Sequence, residues 1–194
     1  MVDKIINEIE KGNLVVMPTD TIYGIIADAT REDVIKKVYE VKKRDYNKPL
    51  LILVSNWKML NSLVLNVPDI VKKIANKYWP GPLTILFEKS EKVSDLLTAK
   101  SSFVAIRMPK DDRLIEIMNK MNKPLISTSA NISSHSSITN PKQLEDELKL
   151  KIDLIVDEGT INNDASTLIK VENNKIVILR EGSLVDKIRG EYIK

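Results

Sequence analysis

Short apolar runs alternate with segments of helical period along the chain, and this alternation limits the sequence to an α/β architecture. Residues 13–17, 50–54, 84–87, 102–108, 124–126 and 153–157 read as strands. Residues 25–29 read as a further extended stretch. Residues 166–171 and 175–180 flank Asn173-Asn174 and predict a hairpin. Helical spacing covers 3–11, 30–41, 56–60, 69–77, 111–120, 141–150 and, weakly, 184–193. Gly12 is placed to end the first helix, Thr30 to cap the second and Asn140 with Pro141 to open the sixth. The hairpin must be antiparallel, so the sheet is expected to be mixed. No internal repeat, low-complexity tract or long linker interrupts the pattern, which predicts one domain over residues 1–194.

Composition removes several kinds of chemistry. The chain has no cysteine, which excludes disulfides, thiolate metal sites and a Cys nucleophile. His135 is the single histidine, so a His-clustered metal site is not available. A net charge of +3 favours anionic ligands such as nucleotides or RNA. The N-terminal stretch carries acids where a signal peptide would be apolar, and no apolar run approaches the roughly 18 residues a bilayer span needs. A soluble, cytoplasmic protein without membrane contact is the expectation.

Five polar groups fall at predicted strand or helix ends. They are Thr19-Asp20-Thr21 with Tyr23, Lys42-x-Arg44 with Lys48, Arg107, Ser127 to Asn131, and Ser166-Thr167 with Arg180. Strand ends of an open α/β sheet meet at one crevice, where hydroxyls and cations facing each other suit a polyanion. Ser127-Thr128-Ser129-Ala130-Asn131 cannot be a strand buried on both faces, because each polar group would need its own partner. It reads as a ligand-facing loop or as a Ser/Thr turn before the next helix. Lys42 to Arg44 also suits the cationic end of a helix, and Arg107 a solvated or paired charge. Tyr23, Trp57 and Trp79 read equally as packing residues, and Asp20 as a turn-former or a metal ligand. No glycine-rich P-loop is present, so any nucleotide is held differently.

Taken together, these residues resemble the TsaC/YrdC family, the threonylcarbamoyl-AMP synthases. Pro18-Thr19-Asp20-Thr21-Ile22-Tyr23-Gly24 is similar to its P-T-D-T-x-Y-G opening, and Lys42-x-Arg44 with Ser129-x-Asn131 to its K-x-R and S-x-N signature. Trp79-Pro80-Gly81-Pro82-Leu83-Thr84, Val104-Ala105-Ile106-Arg107-Met108-Pro109, Ser166-Thr167 and Leu179-Arg180-Glu181-Gly182 resemble four further family segments in order. The chain resembles the short form, without the extra C-terminal domain.

The resemblance implies an open twisted mixed sheet with flanking helices and a large concave basic groove. It implies that ATP, bicarbonate and L-threonine give threonylcarbamoyl-AMP and pyrophosphate, with Mg2+ accompanying ATP. The product passes to a tRNA threonylcarbamoyl transferase complex, with tRNA or RNA contact by this chain as an added possibility. By motif match, Thr21, Arg107, Ser127 and Ser166 hold threonine, Arg107 in bidentate fashion through the carboxylate. Arg44, Lys48, Ser129, Ser137 and Arg180 hold ATP. Lys42 and Asn131, with Arg44 and Ser129, complete the catalytic signature around the reacting groups, and no residue is assigned to a metal. Such a reaction needs positioning and charge stabilisation rather than a covalent nucleophile. The alternative is a non-catalytic RNA- or nucleotide-binding module on the same fold. The carbamoyl-transfer unit of hydrogenase-maturation proteins is disfavoured, since those chains carry Cys-rich zinc motifs. Three positions depart from the family. Ser134 stands where Gly is common and predicts a strained backbone or an altered loop, Leu53 stands where longer members carry His, and Glu181 where many carry Pro.

Overall fold

Each helix is held by the apolar stripe that its sequence spacing creates. The computed structural model describes residues 1–193. α1 (Val2–Glu10) buries Ile5 and Ile9, each worth roughly 2 kcal/mol against exposure, and Gly12 closes it at φ 85°. α2 (Glu32–Val41) buries Val34, Ile35, Val38 and Tyr39. α3 (Trp57–Leu63) starts at Asn56, whose side chain accepts from Met59 N, and α5 (Asp112–Met121) starts at Asp111, which accepts from Leu114 N. α4 (Asp69–Tyr78) and α7 (Val185–Tyr192) complete the longer helices. Among the described residues, no helix is long and apolar enough to cross a membrane.

The strands are β1 (Val15–Met17), β2 (Gly24–Asp28), β3 (Leu51–Leu53), β4 (Leu83–Glu88), β5 (Phe103–Arg107), β6 (Leu125–Ser129), β7 (Leu154–Ile155), β8 (Thr167–Glu172) and β9 (Lys175–Arg180). Among the described residues they form one open sheet in the order β7-β1-β2-β6-β3-β5-β4-β8-β9. β1–β7, β3–β5 and β4–β8 run parallel and the other pairs antiparallel, so the sheet is mixed as expected. Asn173 and Asn174 take φ of 49° and 59°, the left-handed pair that a tight hairpin requires. β7 lies at one edge and β8 next to the other, so residues 156–166 must cross the sheet to join them.

Four local expectations need correction. Ser127 to Ser129 are not a loop: β6 continues through them, paired to Ile26, Ile25 and Gly24 of β2, with Ser127 also opposite Leu51 of β3. The polar side chains are tolerated because this end of the strand stays partly exposed. Thr30 does not cap α2, because the buried Asp28 carboxylate takes both its N–H (2.8 Å) and its hydroxyl (2.5 Å). The basic cluster lies beyond the helix, with Lys43 at φ 48°. The helix expected over 141–150 is broken. Asn140 forms its capping box with Gln143 over a single 3-10 turn, Pro141–Gln143. Leu144 then leaves the helical region at ψ 128°, and α6 (Asp146–Lys149) follows.

Candidate active site

Where β2, β3 and β8 begin and β5, β6 and β9 end, side chains line an open cavity of about 290 Å³. Its wall includes Thr21, Arg44, Arg107, Ser127, Ser129, Ser137, Ser166 and Arg180, with three arginines and no carboxylate among the described residues. The sequence motifs therefore converge although they span the chain. Gly182 shows how tightly the closing element fits: a Cβ there would lie 2.3 Å from the Ala165 carbonyl oxygen and 2.5 Å from the Ser166 carbonyl carbon.

Lys42 and Asn131 are placed differently from the sequence expectation. Neither lines the cavity; both are buried behind its wall. Lys42 Nζ donates to Ser129 O (2.5 Å), Asn131 O (2.6 Å) and Asn131 Oδ1 (3.1 Å). Three acceptors match the three donors of an ammonium group. Burial, reinforced by the positive charge of Arg44, nevertheless lowers the Lys42 pKa to about 7. Asn131 Oδ1 also accepts from Ser129 Oγ, and Asn131 Nδ2 donates to His135 O. Lys42 of the K-x-R signature and the S-x-N signature thus meet in one hydrogen-bond network that reaches the cavity at Ser129, and Arg44 lines the cavity outside that network.

Lys48 is also displaced from its expected place. Its side chain is exposed and lies outside the cavity wall. Its carbonyl accepts from Arg44 Nε at 3.0 Å and from Tyr39 OH at 3.0 Å, and Arg44 Nη2 donates to Pro49 O at 2.9 Å. Backbone carbonyls, not a second cation, hold Arg44 in position.

Arg107 is not a free guanidinium. Nη1 donates to Asp20 Oδ1 at 2.6 Å, and Nε is buried without a partner among the described residues. Asp20 Oδ2 accepts from Lys110 N at 3.0 Å, so this acid joins the Thr19–Thr21 turn to the exit of β5. Sequence reasoning missed this pairing. The signal was there, since an arginine ending a buried strand needs a carboxylate and Asp20 is the acid inside a motif.

Two hydroxyls facing the cavity have defined hydrogen-bond polarity. Thr19 Oγ1 donates to Ile22 O (2.8 Å) and accepts from Thr21 N (3.1 Å). Its one proton is spent, so the 3.0 Å contact with Thr21 Oγ1 has Thr21 as donor, and Thr21 faces the cavity as an acceptor. Ser166 Oγ accepts from Arg180 Nη2 at 2.8 Å and lies 2.7 Å from Thr84 Oγ1. Thr84, at the end of the Trp79–Thr84 motif, was not among the expected site residues.

The packing readings hold for Tyr23, Trp57 and Trp79. Tyr23 is buried, donating to Gly159 O at 2.8 Å and accepting from Glu158 N at 3.1 Å. Trp57, Trp79 and Phe87 pack ring to ring at 5.8 and 6.1 Å. His135 is exposed against Glu145. Ser134 takes φ 76°, the strained conformation anticipated for a serine at a glycine position. Leu53 is fully buried, opposite Arg107 in register, and Glu181 is exposed beside Arg189.

An open mixed sheet thus gathers three arginines and several hydroxyls around one cavity at its strand ends, and the sequence holds no P-loop. The chain belongs to the Sua5/YciO/YrdC family, whose model, described as "Telomere recombination", matches residues 7–182. It is 39% identical over 176 residues to a putative threonylcarbamoyl-AMP synthase of Methanocaldococcus jannaschii, covering 90% of this chain and 82% of that relative. It is 34% identical over 188 residues to the threonylcarbamoyl-AMP synthase of Pyrococcus abyssi, covering 94% of this chain but 55% of that longer protein. A crystal structure of P. abyssi Sua5 complexed with L-threonine superposes with a TM-score of 0.90 at 32% identity, over 98% of this chain and 58% of that one.

Proposed function

We propose that the chain is an L-threonylcarbamoyl-AMP synthase, a nucleotidyltransferase that converts ATP, bicarbonate and L-threonine into threonylcarbamoyl-AMP and pyrophosphate. The observation that carries this reading is the acid-free wall of Arg44, Arg107, Arg180 and hydroxyls, in a chain related to synthases of that name. In this reading Thr21, Arg107, Ser127 and Ser166 hold threonine. Arg107 does so through the N–H groups that Asp20 leaves free. Arg44, Ser129, Ser137 and Arg180 hold the phosphates. Arg180 also donates to Ser166, so one cation touches both substrate regions.

The threonine carbamate attacks the α-phosphate and pyrophosphate leaves. The chain contributes alignment and compensation of charge on the phosphate oxygens. Lys42 and Asn131 act from behind by fixing the carbonyls and hydroxyl of the β6 exit. No carboxylate of the wall offers a magnesium ligand, so the ion is proposed as one carried on the triphosphate's own oxygens. The product is then a substrate for a tRNA threonylcarbamoyl transferase.

The test is incubation of the purified protein with ATP, labelled bicarbonate and L-threonine. The expected result is pyrophosphate release that depends on threonine, with label entering an adenylate. Nucleotide binding without release at any magnesium concentration sinks the proposal and favours a binding module.

A further inference from the structure

We propose that Thr84 is a positioning residue that compels Ser166 to donate its hydroxyl proton into the cavity. The inference rests on the reading of this cavity as the threonine site. Thr84 is fully buried on β4, and among the described residues its hydroxyl has one partner, Ser166 Oγ at 2.7 Å. Were Ser166 the donor in that pair, the proton of Thr84 would have no acceptor in a buried setting, an arrangement proteins avoid. Thr84 is therefore the donor. Arg180 Nη2 donates to the same Ser166 oxygen at 2.8 Å. A hydroxyl oxygen has two lone pairs and one proton. With both lone pairs filled, Ser166 keeps its proton for an acceptor in the cavity that it lines.

The opposite polarity at Thr21 sharpens the consequence. Thr21 gives its proton to Thr19 and faces the cavity as an acceptor, whereas Ser166 faces it as a donor. A ligand with a donor group at one end and an acceptor oxygen at the other, as in an amino acid, satisfies both. A ligand offering donors alone would leave the Ser166 proton unpaired. Thr84 thus sets what the cavity recognises without touching the substrate.

Thr84→Val keeps the shape and removes the donor; Thr84→Ser keeps the donor. In threonine-dependent pyrophosphate release, Thr84→Val is expected to raise KM for L-threonine about tenfold, the loss of one well-oriented hydrogen bond. KM for ATP is expected to change less than about twofold, and Thr84→Ser to restore the threonine value to within about threefold. In a Ser166→Ala background, Thr84→Val is expected to add less than about twofold, because its effect passes through Ser166. If the valine variant does not fold, Thr84→Cys, a weak donor of similar size, takes its place. An unchanged KM for threonine, equal rises for both substrates, failure of serine to restore it, or full additivity with Ser166→Ala overturns the inference. Wild-type protein that binds L-threonine while Thr84 proves irrelevant refutes this inference alone. Wild-type protein that does not bind L-threonine in calorimetry refutes the functional reading beneath it.

Discussion

Asp20 Oδ1 accepts a hydrogen bond from Arg107 Nη1 at 2.6 Å, across 87 residues of sequence, and both side chains are almost wholly withdrawn from water. The pair ties the turn after β1 to the exit of β5 and so shapes one wall of the cavity. Removing one partner of such a pair leaves a buried charge uncompensated. Asp20→Ala is expected to cost about 3 kcal/mol, which in a chain of this length lowers Tm by roughly 6–12 °C. Thermal unfolding followed by circular dichroism measures this. A Tm within about 2 °C of wild type would show that Arg107 finds compensation elsewhere.

Lys42 predicts a pH dependence of defined sign. Its folded pKa of about 7 lies below the usual lysine range because burial disfavours the charged form. Between pH 7 and about 10 the unfolded chain binds the proton that the folded chain has released, so the stability contribution of Lys42 rises with pH across that window. Below pH 7 both states hold the proton and the contribution is flat. Urea unfolding of wild type and Lys42→Met at several pH values isolates the effect. The difference is expected to be level from pH 6 to 7 and to shift in favour of wild type from pH 7 to 10. A shift in the other direction contradicts the assignment.

Arg44 lines the cavity, partly exposed, and bonds to the Lys48 and Pro49 carbonyls. Little core packing depends on it, so Arg44→Ala is expected to cost less than about 1 kcal/mol of stability. Loss of a cation aimed at a reacting phosphate costs far more in rate, on the order of 100-fold or greater. Pyrophosphate release and Tm measured on the same preparation separate the two effects. Activity within about threefold of wild type would remove Arg44 from the reacting site.

Ser134 occupies the left-handed region at φ 76°, where a side chain costs about 1 kcal/mol and glycine costs nothing steric. Ser134→Gly is expected to stabilise the fold by about 0.5–1 kcal/mol, a rise of roughly 1–4 °C in Tm, despite the greater freedom of glycine in the unfolded chain. Differential scanning calorimetry reads the change. A fall in Tm would mean that the serine hydroxyl makes a contribution larger than its backbone strain.

Much of this protein is written locally. The apolar period separates β1, β3 and β5 from the helices between them, because burial of a strand or a helix stripe depends on residues a few positions apart. The Asn173-Asn174 turn is legible for the same reason, since both residues tolerate the left-handed backbone it needs. The motifs at residues 18–24, 42–44, 129–131 and 166–182 were visible, and the strand ends do bring Thr21, Arg44, Ser129, Ser166 and Arg180 to one cavity.

What tertiary structure alone decided is the set of partners. Ser127 to Ser129 are strand rather than loop because β2 pairs with all three, and β3 with Ser127, while the strand end opens to the cavity. Lys42 points behind the wall and Arg44 into it. Thr84 meets Ser166 because β4 and β8 stand side by side, and Asp20, in the turn between β1 and β2, meets Arg107 although β6 and β3 lie between β2 and β5. Local sequence dictates which residues share a face of a strand. Which strand lies alongside is settled by packing the whole sheet, and that order determines which charges are neutralised and which hydroxyls must donate.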